Sequence, residues 1–242
     1  MTRADVDPRP ILARLRRLEA AQIGLLVMLA LAAGGVWMFV AIADEVSEGD
    51  THALDEAILL SLRTSGDPAD PIGPIWVEEA MRDLTGLGGI AVLTLITLAV
   101  AGYLAFRRAW GQIALLAVAV LGAILLSTLL KTGFDRPRPD LVPHGARVLT
   151  ASFPSGHAMI SVAVYLTLGA MLASVQSSRK LRSYFIALAI VLAMLIGASR
   201  VYLGVHWPSD VLAGWCAGAS WAILVWLAAR QLGRPREVDN DS

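Results

Sequence analysis

The chain has 242 residues and a mean hydropathy of +0.63; 56% of its residues are hydrophobic and only 17% are charged. Soluble domains carry about 25% charged residues, so this composition excludes intrinsic disorder and most soluble enzymes. Twenty basic residues balance twenty acidic ones, and without a net positive field no nucleic-acid partner is expected. A single cysteine, Cys216, excludes an intrachain disulfide. The composition indicates one integral-membrane domain.

Six stretches of the chain are apolar and long enough to cross a bilayer, which takes about 20 mostly apolar residues. They are residues 20–43, 84–106, 109–130, 148–178, 183–199 and 211–229. The fourth stretch begins with turn-forming residues, so its helix is expected to start near Gly156. The fifth extends towards Gly204 if Arg200 faces protein rather than lipid. The pattern predicts an all-α, polytopic bundle of six transmembrane helices.

The first apolar stretch has a second interpretation, because Ala41-Ile42-Ala43 resembles the cleavage site of a signal peptide. Its apolar core is much longer than the ~7–15 residues usual in signal peptides, which favours a retained helix. We therefore expect three parts, a cytoplasmic N-terminal segment (1–19), a six-helix membrane domain (20–230) and a cytoplasmic tail (231–242).

Positive charge is divided unevenly between the two ends of the predicted spans. Successive connections between the spans lie on alternate sides of the membrane. The side of the N terminus then carries thirteen arginines and lysines, and the opposite side carries seven. Cytoplasmic loops of membrane proteins carry the excess of these residues. Both termini are therefore expected in the cytoplasm, with the chain in the inner (cytoplasmic) membrane.

The longest external loop, 44–83, contains eleven acidic residues and two arginines. Apolar residues recur there at helical spacing in two sets, Leu54, Ala57, Ile58 and Leu62, and Ile72, Ile75, Trp76 and Ala80. Pro74 interrupts the second set. Two interpretations stay open, short helices lying on the outer surface or a solvated acidic loop with some buried turns. The acidic charge should repel an anionic headgroup, so the loop either folds away from the site or selects the substrate.

Polar residues mark the outward ends of the last four spans, in the segments 131–157 and 199–210. They are Lys131 and Arg138 after the third span, Ser155, Gly156 and His157 at the start of the fourth, Arg200 near the end of the fifth, and His206 and Asp210 at the start of the sixth. Because successive spans alternate in direction, all of these residues emerge on one membrane face. A compact bundle would bring them together there.

The types of these residues suit phosphoryl transfer. Arginine binds phosphoryl oxygens in pairs and lysine binds them as a point charge, while a Ser-Gly helix start offers a hydroxyl group and free N–H groups to an anion. His206 and Asp210 are four residues apart, so the carboxylate can hold one imidazole nitrogen and leave the other as a nucleophile. His157 is then the candidate proton donor for the leaving oxygen. The set predicts a reaction that needs no metal ion or other cofactor.

The spacing of these residues resembles the type 2 phosphatidic acid phosphatase family, which shares its site with vanadium haloperoxidases. The family pattern is Lys-x6-Arg-Pro, Pro-Ser-Gly-His and Ser-Arg-x5-His-x3-Asp, and it is matched at 131–139, 154–157 and 199–210. The resemblance implies a helical bundle of this phosphatase/haloperoxidase type, and a two-step mechanism with a phosphohistidine at His206. In that mechanism Asp210 orients His206, and His157 protonates the departing oxygen and then helps activate water. The phosphoryl oxygens would be held by Lys131, Arg138, Ser155, Gly156 and Arg200.

The sequence thus predicts an integral-membrane phosphatase that acts on a phosphate monoester or diphosphate of a lipid at the outer face. Polyprenyl diphosphate, phosphatidylglycerophosphate and phosphatidate are candidate substrates, and the short, arginine-rich chain favours a lipid of a bacterial envelope. One alternative is a phosphotransferase in which a lipid or sugar hydroxyl replaces water. Another is a transporter or scramblase that only binds lipid phosphate. The six apolar spans exclude a soluble haloperoxidase.

Several further residues receive weaker assignments. Gly214 and Gly218, with Ala213 and Ala217, form a small-residue face that predicts close helix packing, either within the bundle or in a dimer. Three charged residues beside the motif are candidates for tuning the pocket but are not counted among its catalytic or binding residues: Asp135, Arg136 and Arg147. His52 and His144 are interpreted as surface histidines.

Overall fold

The computed structural model describes residues 9–140 and 151–232, with side chains from Gln22 onward. The expectations for His144, for Arg147, for the first eight residues and for 233–242 lie outside the described residues. Within the described ranges the chain forms eight helices and one short hairpin. In chain order they are α1 (Arg9–Glu48), α2 (His52–Ser61), β1 (Arg63–Thr64), β2 (Asp67–Pro71), α3 (Ile75–Leu87), α4 (Ile90–Phe106), α5 (Trp110–Gly133), α6 (Gly156–Ser174), α7 (Arg179–Tyr202) and α8 (Pro208–Leu232).

The all-α membrane architecture is confirmed, although one span differs from the expectation. In the described part of the chain, five helices (α1, α5, α6, α7 and α8) are long and apolar enough to cross a membrane. Helices α3 and α4 pass the same test only as a pair, and they meet at an angle of 50°. The break falls at Gly88-Gly89, where Gly89 has an extended backbone (φ −71°, ψ 144°) before α4 begins. Six spans result when the bent pair is counted as one.

Helix ends differ from the predicted limits where polar residues continue a helix beyond its apolar core. Helix α1 is 40 residues long and extends past both ends of the predicted span at 20–43. It therefore reaches into the predicted cytoplasmic segment on one side and into the predicted external loop on the other. Helix α6 begins at Gly156, as its turn-forming start indicated. Helix α7 runs to Tyr202, so Arg200 lies in its last turn.

The segment 44–83 is largely structured, and this decides between the two interpretations of the acidic loop. It contains α2, the start of α3, and the antiparallel hairpin β1–β2 between them. Pro74 lies immediately before α3, where a missing N–H is tolerated, so it starts this helix instead of interrupting it. The predicted apolar face of α2 is not its buried face, because Leu54 is 65% exposed while Asp55 and Leu59 are buried.

Helix α6 lies at the centre of the bundle. It packs against α5, α7 and α8, while α1 packs on α8 and α3 packs on α7. One hydrophobic cluster joins four helices through Leu93, Leu116, Val164 and Ile196. In both α6 and α8, most of the buried residues lie in the first half of the helix, at the end that carries the predicted site residues.

The small residues of α8 make its approach to α6 unusually close. A Cβ atom on Gly214 would lie 2.8 Å from the Ser155 carbonyl oxygen, and one on Gly218 would overlap the Met159 carbonyl oxygen. Real side chains do not tolerate such distances, so only glycine fits at these two positions. The close packing predicted for this face therefore occurs within one chain, between α8 and α6.

We expect Gly218→Ala to destabilise the protein by about 1–3 kcal/mol, because the added methyl group must push α8 away from α6. The matched control is Gly102→Ala in α4, where a Cβ atom meets nothing within 4 Å, and this variant should be as stable as the wild type or slightly more stable. Thermal unfolding in detergent measures both variants. Equal melting temperatures for the two would contradict the close α6–α8 contact.

Candidate active site

Four helix ends carry the predicted site residues, and the structure brings these ends together. The backbone N–H of Ser155 donates to the carbonyl oxygen of Asp210 over 2.9 Å, which joins the start of α6 to the start of α8. The Ser155 side chain caps α6 by accepting a hydrogen bond from Ala158 N. Lys131, in the last turn of α5, lies beside this helix start and donates from Nζ to the Ala151 carbonyl oxygen at 2.6 Å.

A tight turn between α7 and α8 carries His206 into the same place. Gly204 has φ +71°, a left-handed conformation that glycine adopts at little cost. The N–H of Val205 then donates to the Arg200 carbonyl oxygen at 3.1 Å, which closes the turn. His206 and Asp210 thereby meet at the beginning of α8, with Arg200 on the preceding helix end.

His206 and Asp210 form the predicted pair. His206 Nδ1 lies 3.3 Å from Asp210 Oδ2, and both side chains are almost completely buried. The same Oδ2 accepts a hydrogen bond from the N–H of Trp207 at 2.9 Å and a short one from the Ser152 hydroxyl. Ser152 Oγ also lies 3.3 Å from His206 Nδ1. Since the Ser152 proton goes to the carboxylate, its oxygen is left as an acceptor.

These contacts define the chemical state of His206. Burial lowers its pKa to about 4; the hydrogen bond with Asp210 opposes this effect, and the charges of Arg138 and Arg200 add to it. The imidazole is therefore neutral at neutral pH and carries a single N–H. Because both groups facing Nδ1 accept hydrogen bonds, the proton is on Nδ1 and Nε2 carries the free lone pair.

Arg138 faces the lone pair of His206. Its Nη1 lies 3.1 Å from His206 Nε2 and 2.7 Å from the Val205 carbonyl oxygen. Burial lowers the pKa of Arg138, while the negative charge of Asp210 opposes that effect. A guanidinium group has only donors, so this contact is consistent with Nε2 as the acceptor. A positive charge thus lies directly at the nitrogen that a phosphoryl group would meet.

The other candidate residues lie around this centre. His157 interacts electrostatically with Arg200, His206, Arg138 and Lys131. Arg200 donates from Nη1 to Thr85 Oγ1 at 2.8 Å, and within the described residues its buried Nε has no hydrogen-bond partner. The Cβ that Gly156 lacks would lie 3.6 Å from Lys131 Cε. All eight predicted residues therefore belong to one cluster of two imidazoles, three cations, a carboxylate and a helix start.

Three residues outside the predicted set of eight contact Asp210 or its neighbours. Ser152 is fully buried and donates to Asp210, as described above. Arg136 donates from Nη1 to Asp210 Oδ1 at 2.7 Å and from Nη2 to Asp55 Oδ2, also at 2.7 Å. Asp55 comes from α2, on the acidic segment. Arg136 therefore lies beside the eight predicted residues and contacts the carboxylate that faces His206.

The sequence alone indicates only some of these additional residues. Arg136 and Ser152 are close to the motifs, and a charged residue two positions from Arg138 was a reasonable candidate. Asp55 is one of eleven acidic residues in 44–83, and nothing local distinguishes it from the others. Thr85 lies in an uncharged stretch that was predicted to be membrane span, where its contact with Arg200 could not be anticipated.

Comparisons with known proteins agree with the motifs and the geometry. The model of the PAP2 superfamily matches residues 112–234. Phosphatidylglycerophosphatase B of Bacillus subtilis (strain 168) is 35% identical over 185 residues, which cover 74% of this chain and 85% of that protein. Lipid A 1-phosphatase of Rhizobium etli is 32% identical over 190 residues, which cover 67% of this chain and 78% of that protein.

A solved structure extends the agreement to the fold. The crystal structure of a transmembrane PAP2-type phosphatidylglycerolphosphate phosphatase from Bacillus subtilis superposes with a TM-score of 0.69 and 29% sequence identity. The superposition covers 86% of this chain and 98% of that one. The family resemblance read from the three motifs is thus confirmed: the chain belongs to the PAP2 superfamily and is a multi-pass membrane lipid phosphatase.

Proposed function

We propose that the protein hydrolyses a phosphate monoester or diphosphate of a lipid through a phosphohistidine formed at His206, at the external face of the inner membrane. The observation that carries this proposal is the environment of the His206 imidazole. Its Nδ1 faces Asp210 and Ser152, and its Nε2 faces the cationic Arg138. A neutral imidazole held in this way presents one lone pair to a group that is attracted by positive charge.

In the first step, His206 Nε2 forms a bond to phosphorus as the bond from phosphorus to the lipid oxygen breaks. His157 gives its proton to the departing oxygen, so the lipid leaves as an alcohol or as a lipid monophosphate. The imidazole of His206 becomes positively charged, and the carboxylate of Asp210 stabilises that charge. Lys131, Arg138 and Arg200, with Ser155 and the Gly156 N–H, hold the phosphoryl oxygens as negative charge spreads over them.

In the second step, His157 has lost its proton and accepts one from a water molecule. The water oxygen attacks phosphorus while the bond from phosphorus to Nε2 breaks. Inorganic phosphate leaves, and His206 returns to its neutral form with the proton on Nδ1. Three cations supply the positive charge that a metal ion supplies in other phosphatases, so the reaction needs no added cofactor.

The outer surface of α5 is compatible with a lipid substrate. Leu129 is 58% exposed and lies in the last turns of the helix that also carries Lys131, so an apolar outer surface extends to the end of the bundle where the cations lie. An acyl or prenyl chain can lie along such a surface while its phosphate reaches the cations. The similarity to phosphatidylglycerophosphatase B makes phosphatidylglycerophosphate the first substrate to test, followed by polyprenyl diphosphate and phosphatidate.

The distribution of charge supports an external orientation of the site. Thirteen cations fall on the side of the N terminus and seven on the other side, which favours cytoplasmic termini. Five of those seven lie between Lys131 and Arg200, in or beside the segments that form the site. An anion-binding role for most of these five accounts for their presence on the side where cations are otherwise scarce.

His206→Ala is expected to lower phosphate release at least 1,000-fold, an order of magnitude taken from other nucleophile knockouts. Release of phosphate from purified phosphatidylglycerophosphate, polyprenyl diphosphate and phosphatidate, with and without EDTA, measures this effect. The wild-type rate should be the same with EDTA present. The melting temperature of the variant reports whether it is folded, and a folded His206→Ala protein with normal turnover would refute the phosphohistidine mechanism.

The pKa of His206 predicts its protonation state over a range of pH. Because burial lowers that pKa to about 4, the folded protein leaves His206 neutral between pH ~4 and ~6.5, whereas the unfolded chain protonates it there. Folding stability therefore decreases as pH falls through this window. Hydrogen–deuterium exchange at the imidazole C2 position, followed by mass spectrometry, should give a midpoint near pH 4 for His206. A midpoint of 6.5 or higher in the folded protein would contradict the neutral nucleophile.

Cysteine labelling tests the orientation. In a Cys216→Ala background, Asp67→Cys on the exposed hairpin should react with a membrane-impermeant maleimide added to intact spheroplasts. Ser177→Cys, an exposed position between α6 and α7 at the opposite end of the bundle, should react only after the membrane is permeabilised. The reverse labelling pattern would place the site in the cytoplasm.

A further inference from the structure

A second buried carboxylate lies close to the first and is bridged to it by one arginine. Arg136 lies between Asp55 on α2 and Asp210 on α8, with a separation of 2.7 Å on each side. The side chain of Arg136 is 12% exposed, and those of Asp55 and Asp210 are 3% and 0% exposed. Buried charges are costly unless they are paired, so this arrangement is expected to serve a purpose.

Asp55 also holds the start of α8. Its Oδ1 accepts a hydrogen bond from the N–H of Ser209 at 2.9 Å, and its Oδ2 accepts one from the Ser209 hydroxyl at 2.5 Å. Ser209 is the second residue of α8, where a backbone N–H has no partner inside the helix. Asp55 therefore caps the start of α8 from a different helix. The neighbouring carboxylate, Asp210, accepts a hydrogen bond from the N–H of Trp207 and faces His206.

The charges of this group explain why a second carboxylate is useful. Arg136 on its own would neutralise Asp210 and leave little negative charge to stabilise a positive imidazole. With Asp55 present, the arginine is shared between two carboxylates. The group of Asp55, Arg136 and Asp210 then has one net negative charge, which His206 would balance on becoming an imidazolium.

We propose that Asp55 is a positioning residue for the reaction, which acts through Arg136 and Ser209 to keep the carboxylate of Asp210 oriented and its charge available to His206. The proposal rests on the function proposed above, because it concerns the positive charge that His206 acquires in the first step. It also gives a role to one acidic residue of the segment 44–83. In this role Asp55 acts through its neighbours and makes no contact with the phosphoryl group.

The position of Asp55 predicts which kinetic constant its loss should change. Asp55 is linked through Arg136 to Oδ1 of Asp210, whereas His206 faces Oδ2 with its Nδ1 and faces Arg138 with its other nitrogen. The loss of Asp55 should therefore leave the cations that bind phosphate in place. It should instead weaken the stabilisation of positive charge on His206, which develops in the transition state. The expected result is a decrease in kcat with little change in KM.

The first experiment compares Asp55→Asn with Glu56→Gln, which removes a charge from the neighbouring residue of the same helix. Asp55→Asn should lower kcat for phosphate release about 10–100-fold, the effect of losing a charge-assisted hydrogen bond, and should change KM less than threefold. Glu56→Gln should have wild-type values. A wild-type kcat for a folded Asp55→Asn protein would overturn the proposal, and so would a loss expressed only in KM.

The second experiment separates this role from a purely structural one. In the double variant Asp55→Asn/Arg136→Gln, both members of the buried pair become neutral, and the charge of Asp210 is no longer cancelled. The double variant should therefore have a higher kcat than Asp55→Asn alone, by about threefold or more. If the pair only supports the fold, the double variant should be no better than the single one, and that result would also overturn the proposal.

A milder variant covers the case in which Asp55→Asn does not fold. Ser209→Ala removes one hydrogen bond to Asp55 and one from Arg136, and it should lower kcat about two- to tenfold at constant KM. A wild-type kcat in this variant would count against the proposal. His206→Ala is assayed in parallel: activity in that variant would refute the phosphohistidine mechanism, whereas an inactive His206→Ala with a fully active Asp55→Asn would refute only the role of Asp55.

Discussion

The close contact between the beginnings of α6 and α8 is the constraint on which the site depends. Glycine at 214 and 218 lets α8 approach the backbone of α6, and the Ser155 N–H can then donate to the Asp210 carbonyl oxygen. This single approach sets the distance between the Pro-Ser-Gly-His segment and the His206–Asp210 pair. Side chains as small as alanine at these positions would separate the two halves of the site, although neither glycine takes part in the reaction.

A membrane interior is a poor solvent for charge. In this protein the charged groups of the site lie at the start of a helix and not in the middle of a span. Asp210 accepts hydrogen bonds from Trp207, Ser152 and Arg136 as well as facing His206. Each of these partners belongs to a turn or loop and not to the middle of a span. The polar groups are therefore concentrated at one end of the bundle, where backbone N–H groups are free to bind them, and the spans below stay apolar.

Hydropathy predicted most of the fold, and motif spacing named eight candidate residues that the structure places together, because both signals depend on residues close together in sequence. An apolar stretch of about 20 residues forms a span whatever its neighbours are, and His206 and Asp210 share a helix turn by their spacing alone. The break at Gly88-Gly89 and the inward-facing side of α2 were not predictable in this way. They depend on packing against α7 and α8, two helices that come much later in the chain, at Arg179–Tyr202 and Pro208–Leu232.

The acidic segment illustrates the same limit more sharply. Its charge appeared to conflict with an anionic substrate, and neither of the two explanations could be preferred from sequence. In the structure Asp55 turns inward to Arg136, while Asp67 and Asp70 lie on the exposed hairpin. Exposed carboxylates in a high-dielectric, salt-containing solvent are screened within about 10 Å, so most of the charge of the segment has little effect on the buried cations. Asp55, which lies beside the site, is paired with Arg136 and is separated from the cationic residues by Asp210 and His206 in the chain of contacts, so the conflict is reduced without requiring the segment to bind the substrate.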